Sequence, residues 1–157
     1  MKQSFTTAFS RFRPEAVFFL GDVFDEGKWC GPEEWKDYLD RFQTLFRTDP
    51  KTRTFVVAGN HDIGFHYATS PYLYRRFVRA FNSTPSGGGV ERVSVKGVQF
   101  VMVNSMAMHG DKCSLCTQAA QKLDKISEEL ECLKHREYCE AYPALTNNLE
   151  EVETYSR

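Results

Sequence analysis

No apolar run in the sequence approaches the roughly 20 residues that cross a bilayer. A membrane helix is therefore excluded within these 157 residues. The first residues, MKQSFTTAFSRFRPEAV, hold no apolar stretch of the kind a secretory signal requires, so no address is expected within these residues. Lysine and arginine form no long block, and 20 of them face 21 Asp and Glu, for a net charge of -1. That balance argues against a dedicated nucleic-acid binder. There is no internal repeat and no composition shift that marks a domain boundary. What is present reads as an ordinary globular chain, 41% hydrophobic and 26% charged, long enough for one domain with a core. Thirteen Phe and seven Tyr are many for this length; they are expected to fill that core rather than stack on a ligand. Asn82-Ser83-Thr84 fits the N-glycosylation pattern, although the following Pro85 disfavours its use.

Apolar periodicity supplies the elements. Phe5, Ala8, Phe9 and Phe12 recur at helical spacing over residues 2 to 12, ahead of Pro14. AVFFL, residues 16 to 20, reads as a strand buried on both faces. Trp35, Tyr38, Leu39, Phe42, Leu45 and Phe46 line one side of a helix over residues 33 to 46, and TFVV follows as a second buried strand. Ser70-Pro71 opens a helix continued by Leu73, Phe77, Ala80 and Phe81. NSTPSGGG is turn chemistry, and beyond it VERVSV and VQFVMV read as a hairpin around Lys96-Gly97. A last helix over 117 to 134 presents Leu123, Ile126, Leu130 and Leu133, while residues 135 to 157 show no period and read as a loosely ordered tail. Helix, strand, helix, strand, helix, then further strands predicts an α/β layered fold. In such folds ligands bind beyond the carboxyl ends of the strands.

Two clusters stand at those ends. Gly21-Asp22-Val23-Phe24-Asp25 follows the first strand, and Gly59-Asn60-His61-Asp62 follows the second. Carboxylate, carboxamide and imidazole donors suit Mn, Fe or Zn in a hydrolytic site. One carboxylate bridging two ions about 3.5–4 Å apart would clamp an in-line displacement at phosphorus. Without Asn60 and His61, the two aspartates would read as turn or cap residues.

The pair GDVFD … GNHD resembles the calcineurin-like metallophosphoesterase family. The longer pieces LGDVFDEGKW, VVAGNHDIGFHY, FVMVNS and CSLC resemble the branch of that family that removes an ethanolamine-phosphate side group from the glycan of GPI anchors. The resemblance covers about residues 2 to 133. It implies the central part of a four-layer α/β/β/α sandwich, with residues 1 to 134 as a partial phosphoesterase domain. It also implies two divalent ions, manganese foremost, with zinc or iron as alternatives. Asp22 would bridge the ions and Asn60 would ligate one of them. His61 would protonate the leaving alkoxide, oriented and kept cationic by Asp25. Asp62 would support the loop. The substrate partner would be the glycan of a GPI-anchored protein, and the parent enzyme would sit on early secretory membranes during ER-to-Golgi transport. His66 reads as a solvated loop histidine, Glu26 as an exposed loop carboxylate, and His109 has no partner that the sequence identifies.

The family's Asp-x-His and Gly-His-x-His motifs are absent from the sequence, so Asp22 and Asn60 are the family ligands it supplies. The expectation is a truncated form whose 157 residues alone do not hydrolyse a phosphodiester, since two ligands hold ions weakly. Two further readings compete. One is a noncatalytic fragment. The other is a zinc-binding interaction module from Cys113, Cys116, Cys132 and His135, whose C-x2-C-x15-C-x2-H spacing resembles a zinc ribbon. A continuous helix over 117 to 133 would place Cys132 roughly 24 Å from Cys116, too far for one ion. Cys113 and Cys116 are better read as a structural pair in an oxidising compartment, with partners beyond this chain.

Overall fold

The computed structural model describes residues 2–81, 88–109 and 113–135. The NST triplet and the tail beyond His135 lie outside them. Helix α1 (Lys2–Phe12) ends where Arg13 adopts a positive φ of 44° and Pro14 follows. Its stripe is only half used. Phe5 packs edge-on against Phe46 at 5.2 Å, whereas Ala8 and Phe12 stay exposed.

Strands β1 (Ala16–Phe19) and β2 (Arg53–Val56) pair in parallel, with Phe18 opposite Phe55. A parallel pair needs a long crossover, which α2 (Pro32–Leu45) provides. Proline in the first turn and the Glu34 carboxylate, which accepts from Gly31 N–H at 3.1 Å, fix its start. Trp35 and Phe42 form its buried face. Along β1, alternation sends adjacent rings to opposite sides. Phe19 meets Phe42 at 4.9 Å and Phe46 at 5.4 Å among the helices, while Phe18 meets Phe55 at 5.0 Å and Phe100 at 4.7 Å. The expected burial of AVFFL on both faces is not met. All four residues of β1 are half-buried and Leu20 is 84% exposed, because among the described residues the strand has a single neighbour and leaves the sheet at Leu20.

Strands β3 (Val90–Val95) and β4 (Val98–Val103) form an antiparallel hairpin. Lys96 and Gly97 turn it with φ values of 49° and 79°, the left-handed pair that matches strand twist. This sheet lies against the parallel one through Phe18 and Phe100. Arg53 also donates to the Ser94 carbonyl, and Lys96 pairs with Glu15.

Helix α5 (Ser114–Lys134) covers the hairpin's other side, packing Ala119 and Ile126 with Val90. It begins three residues earlier than periodicity predicts, because Cys113 caps it by accepting from Cys116 N–H at 3.0 Å. Its last turn buries Cys132 and leaves Leu133 44% exposed, against expectation. Arg92 of β3 meets Glu129 of α5 at 3.1 Å, with both side chains over 90% buried. Helices, parallel pair, antiparallel pair and helix give the α/β sandwich order. Two short helices complete the path. α3 (Asn60–Ile63) follows β2, and α4 (Pro71–Ala80), capped by Ser70 Oγ on Leu73 N–H at 3.2 Å, buries Tyr74, Phe77 and Val78. Among the described residues, no helix is long and apolar enough to cross a membrane.

Candidate active site

The loops after β1 and β2 touch backbone to backbone, and their glycines make this possible. Gly21 has φ 96°, and a Cβ there would lie 3.0 Å from Gly59 Cα and N. A Cβ on Gly59 would collide with the carboxylate and backbone nitrogen of Asp22. Asp22 itself adopts φ 52°, a left-handed conformation that costs about 1 kcal/mol in a side-chain-bearing residue. That turn brings its Oδ1 to 2.9 Å from the backbone N–H of His61, which it accepts. Asp22, three residues past β1, is thereby tied to the second residue of α3.

Asp62 joins the two loops from beneath. Its side chain is wholly buried; Oδ1 accepts from Phe24 N–H at 2.9 Å and Oδ2 from Gly59 N–H at 2.8 Å. Burial pushes its carboxyl above the ordinary 3.8, opposed by those backbone donors and by Val23, and reinforced by the nearby Asp22 charge. The loop support anticipated for this residue is therefore in place. Phe24 explains the direction of its neighbours. Its ring enters the core, perpendicular to Trp35 at 4.8 Å, while Asp22 and Asp25 on either side remain exposed.

His61 and Asp25 come together across 36 residues. His61 Nδ1 lies 2.8 Å from the Asp25 carbonyl oxygen and 3.2 Å from its carboxylate. The imidazole is 41% exposed and the carboxylate 94%, so the pair sits at the surface. Lys28 N–H donates to the His61 carbonyl at 2.9 Å, and the Lys28 ammonium stands over Trp29 at 4.5 Å and Phe65 at 5.7 Å. Glu26 is exposed, 3.5 Å from the Tyr38 hydroxyl. Sequence reasoning missed Arg76. From α4 it donates to the carbonyls of Gly27 and Cys30 and lies over Trp35 at 4.2 Å, which fixes the loop following Asp25. Its only signal is its place beside Phe77 on an otherwise apolar stripe.

Asn60 stands half-buried at the first position of α3, next to the Asp22–His61 contact. An exposed carboxylate and a carboxamide at the ends of parallel strands fit a hard divalent ion as two oxygen donors. Among the described residues, the group of three or more His, Cys or carboxylates with ligand atoms in reach of one another is a different one: His66, Cys113 and Cys116. His66 is not the solvated histidine expected. It is half-buried, with Nδ1 3.0 Å from the Met106 carbonyl, and His109 packs edge-on against it at 4.4 Å. Cys113 and Cys116 are bonded to each other rather than to outside partners. The zinc-ribbon reading fails for the anticipated reason. Ser114–Lys134 is one continuous helix, which separates Cys132 and His135 from Cys113 and Cys116.

Residues 2–144 match the sequence profile of the calcineurin-like phosphoesterases. The chain belongs to that family. Metallophosphoesterase 1 of Rattus norvegicus is 50% identical over 133 residues, which is 84% of this chain and 32% of the relative. The protein of that name from Gallus gallus is 49% identical over 132 residues, again 84% and 32%. The one from Xenopus laevis is 45% identical over 144 residues, covering 88% and 35%. The chain thus spans about a third of the length of these curated relatives. No solved structure gives a significant match. Calcineurin-like phosphoesterases hydrolyse phosphoesters with divalent metal ions.

Proposed function

We propose that this chain carries the central part of a manganese-dependent phosphodiesterase that removes ethanolamine phosphate from the glycan of GPI-anchored proteins. On this reading the enzyme works at membranes of the early secretory pathway, and residues 1–134 are the phosphoesterase portion. One observation carries the proposal. Asp22, His61 and Asp25 are linked in a chain of contacts across two loops, in a family that cleaves phosphoesters. Ions held with the help of Asp22 and Asn60 would supply Lewis acidity at phosphorus and a hydrolytic nucleophile near neutral pH.

The remaining steps belong to side chains. Asp25 receives the proton-bearing Nδ1 of His61 and so directs Nε2 toward the leaving group. As imidazolium, His61 passes its proton to the departing alkoxide oxygen as the P–O bond breaks. Asp22 is held in place by the His61 backbone, so ion and acid are set by a single turn. Lys28, with its aromatic neighbours, lies on the same rim and offers a positive charge to a phosphate.

The test is a chimera in which this segment replaces its counterpart in full-length rat metallophosphoesterase 1. Manganese-dependent release of ethanolamine phosphate is measured from a GPI glycan. The expected outcome is turnover that falls by about 10²–10⁴ with His61→Ala and is lost with Asp22→Asn. A folded chimera that keeps its activity in the His61→Ala variant would remove His61 from the reaction.

A further inference from the structure

A second cluster lies where three segments meet. His66 opens a single 3-10 turn (His66–Ala68), Cys113 immediately precedes α5, and Cys116 stands in its first turn. One ligand atom from each lies within 4.8 Å of the others, and the exposed His109 ring stands 4.4 Å from that of His66. Two thiols and two imidazoles are the donor set of a tetrahedral zinc site. Zn–S bonds of about 2.3 Å and Zn–N bonds of about 2.0 Å put tetrahedral ligand atoms about 3.5–3.8 Å apart. To meet that, the imidazole has to close by only about 1 Å, while the two sulfurs separate from their bonding distance on reduction.

Two local features suit these residues to a metal. Cys113 Sγ accepts from Cys116 N–H at the N-terminus of a 21-residue helix, an arrangement that favours thiolate. His66 Nδ1 lies 3.9 Å from Cys116 Sγ and 3.0 Å from the Met106 carbonyl, so it is the ring nitrogen beside the sulfur and would exchange the carbonyl for an ion. The cluster shares no ligand with Asp22 and Asn60, and its sulfur donors prefer a different class of ion.

We propose that Cys113, Cys116 and His66, with His109 as fourth ligand, form a zinc site gated by the redox state of the Cys113–Cys116 disulfide. The oxidised chain, as seen here, binds no zinc at this place because both sulfurs are committed to one bond. A dithiol reductant supplies two electrons: the S–S bond breaks, two thiols form, and the reductant closes to its own disulfide. Zinc then displaces the two thiol protons as it is bound. Occupied, the site clamps the loop after α3 to the start of α5; oxidised, it leaves the disulfide to hold the helix cap alone.

Cobalt provides the test, because thiolate ligation gives a charge-transfer absorption that oxygen and nitrogen ligands do not. The full 157-residue chain is reduced, freed of reductant without air and titrated with cobalt, beside an oxidised sample. The expected result is one cobalt per reduced chain with thiolate-to-cobalt absorption, displaced by zinc, and none in the oxidised chain. Cys113→Ser loses the band, His66→Ala weakens binding at least about tenfold, and Asp22→Asn retains it. Circular dichroism verifies that each variant is folded, and the comparison of reduced with oxidised wild type stands without any variant. A folded, reduced chain that shows no such band, or a band that survives in Cys113→Ser, would overturn the proposal.

Discussion

Gly59 shows how little room the site leaves at the level of single residues. Its φ and ψ of -108° and 178° are open to any amino acid, so its requirement is purely steric: the space for a Cβ is taken by Asp22. Gly59→Ala is expected to separate the two loops and cost about 1–3 kcal/mol, as overpacking does. Chemical denaturation measures that cost, and in the chimera the loss of activity should exceed what the remaining folded fraction explains. Asp62 gives a second prediction, with a pH signature. Its folded-state carboxyl titrates above its unfolded value, so the folded chain holds this proton more tightly. The stability it contributes is full below about 3.8 and is lost as pH rises through the raised value. Asp62→Asn turns one acceptor into a donor facing a backbone N–H, and should cost about 1–3 kcal/mol. Because the amide does not titrate, the gap between wild type and variant should narrow as pH rises across that window. A gap that widens would mean that the backbone donors, not burial, dominate at Asp62.

Among the elements, α5 is joined to β3 by an ion pair that water hardly reaches. Glu129→Ala leaves the Arg92 guanidinium buried without its carboxylate and should destabilise the chain by about 3–5 kcal/mol. Glu129→Gln keeps a hydrogen-bond acceptor and should cost less; equal losses in thermal melts would show that packing rather than charge is at stake. Neither Arg92 nor Glu129 was legible in the sequence. A polar residue on an amphipathic strand or helix reads as solvent-facing until a partner from another element appears, and periodicity carries no information about that partner. The same holds for Arg76 and for His66, whose partners lie 40 or more residues away. The helices α1, α2 and α4 and the hairpin were legible because their signals are local: apolar spacing, a proline after a cap, and a Lys-Gly turn. The meeting of the Asp22–Asp25 loop with His61 was legible too, since both loops follow short apolar strands. Element ends were less visible. Neither the start of α5 at a cysteine cap nor the exposure of Leu20 leaves a mark in composition.

For the molecule as a whole, the half-buried rings of Phe18, Phe55 and Phe100 join the two sheets. The ligand set is less complete. Asp22 and Asn60 are two donors where a two-ion centre requires several more, and two oxygen ligands bind manganese weakly. The 157-residue chain on its own is therefore expected to show no manganese-dependent hydrolysis of a model phosphodiester above background. Robust turnover would mean that other side chains of this sequence complete the shell.

The contact between Asp22 and His61 also has a consequence for the order of folding. The two residues are 39 positions apart, and no shorter stretch of the chain contains both. Closing that loop costs on the order of 3 kcal/mol of chain entropy, repaid only once β1, α2 and β2 are packed. The helices can nucleate from local signals, whereas the groups assigned to catalysis meet after the crossover has closed. A folding intermediate with native helices would thus be chemically blank, and acid-catalyst geometry would serve as a late marker of completed tertiary structure.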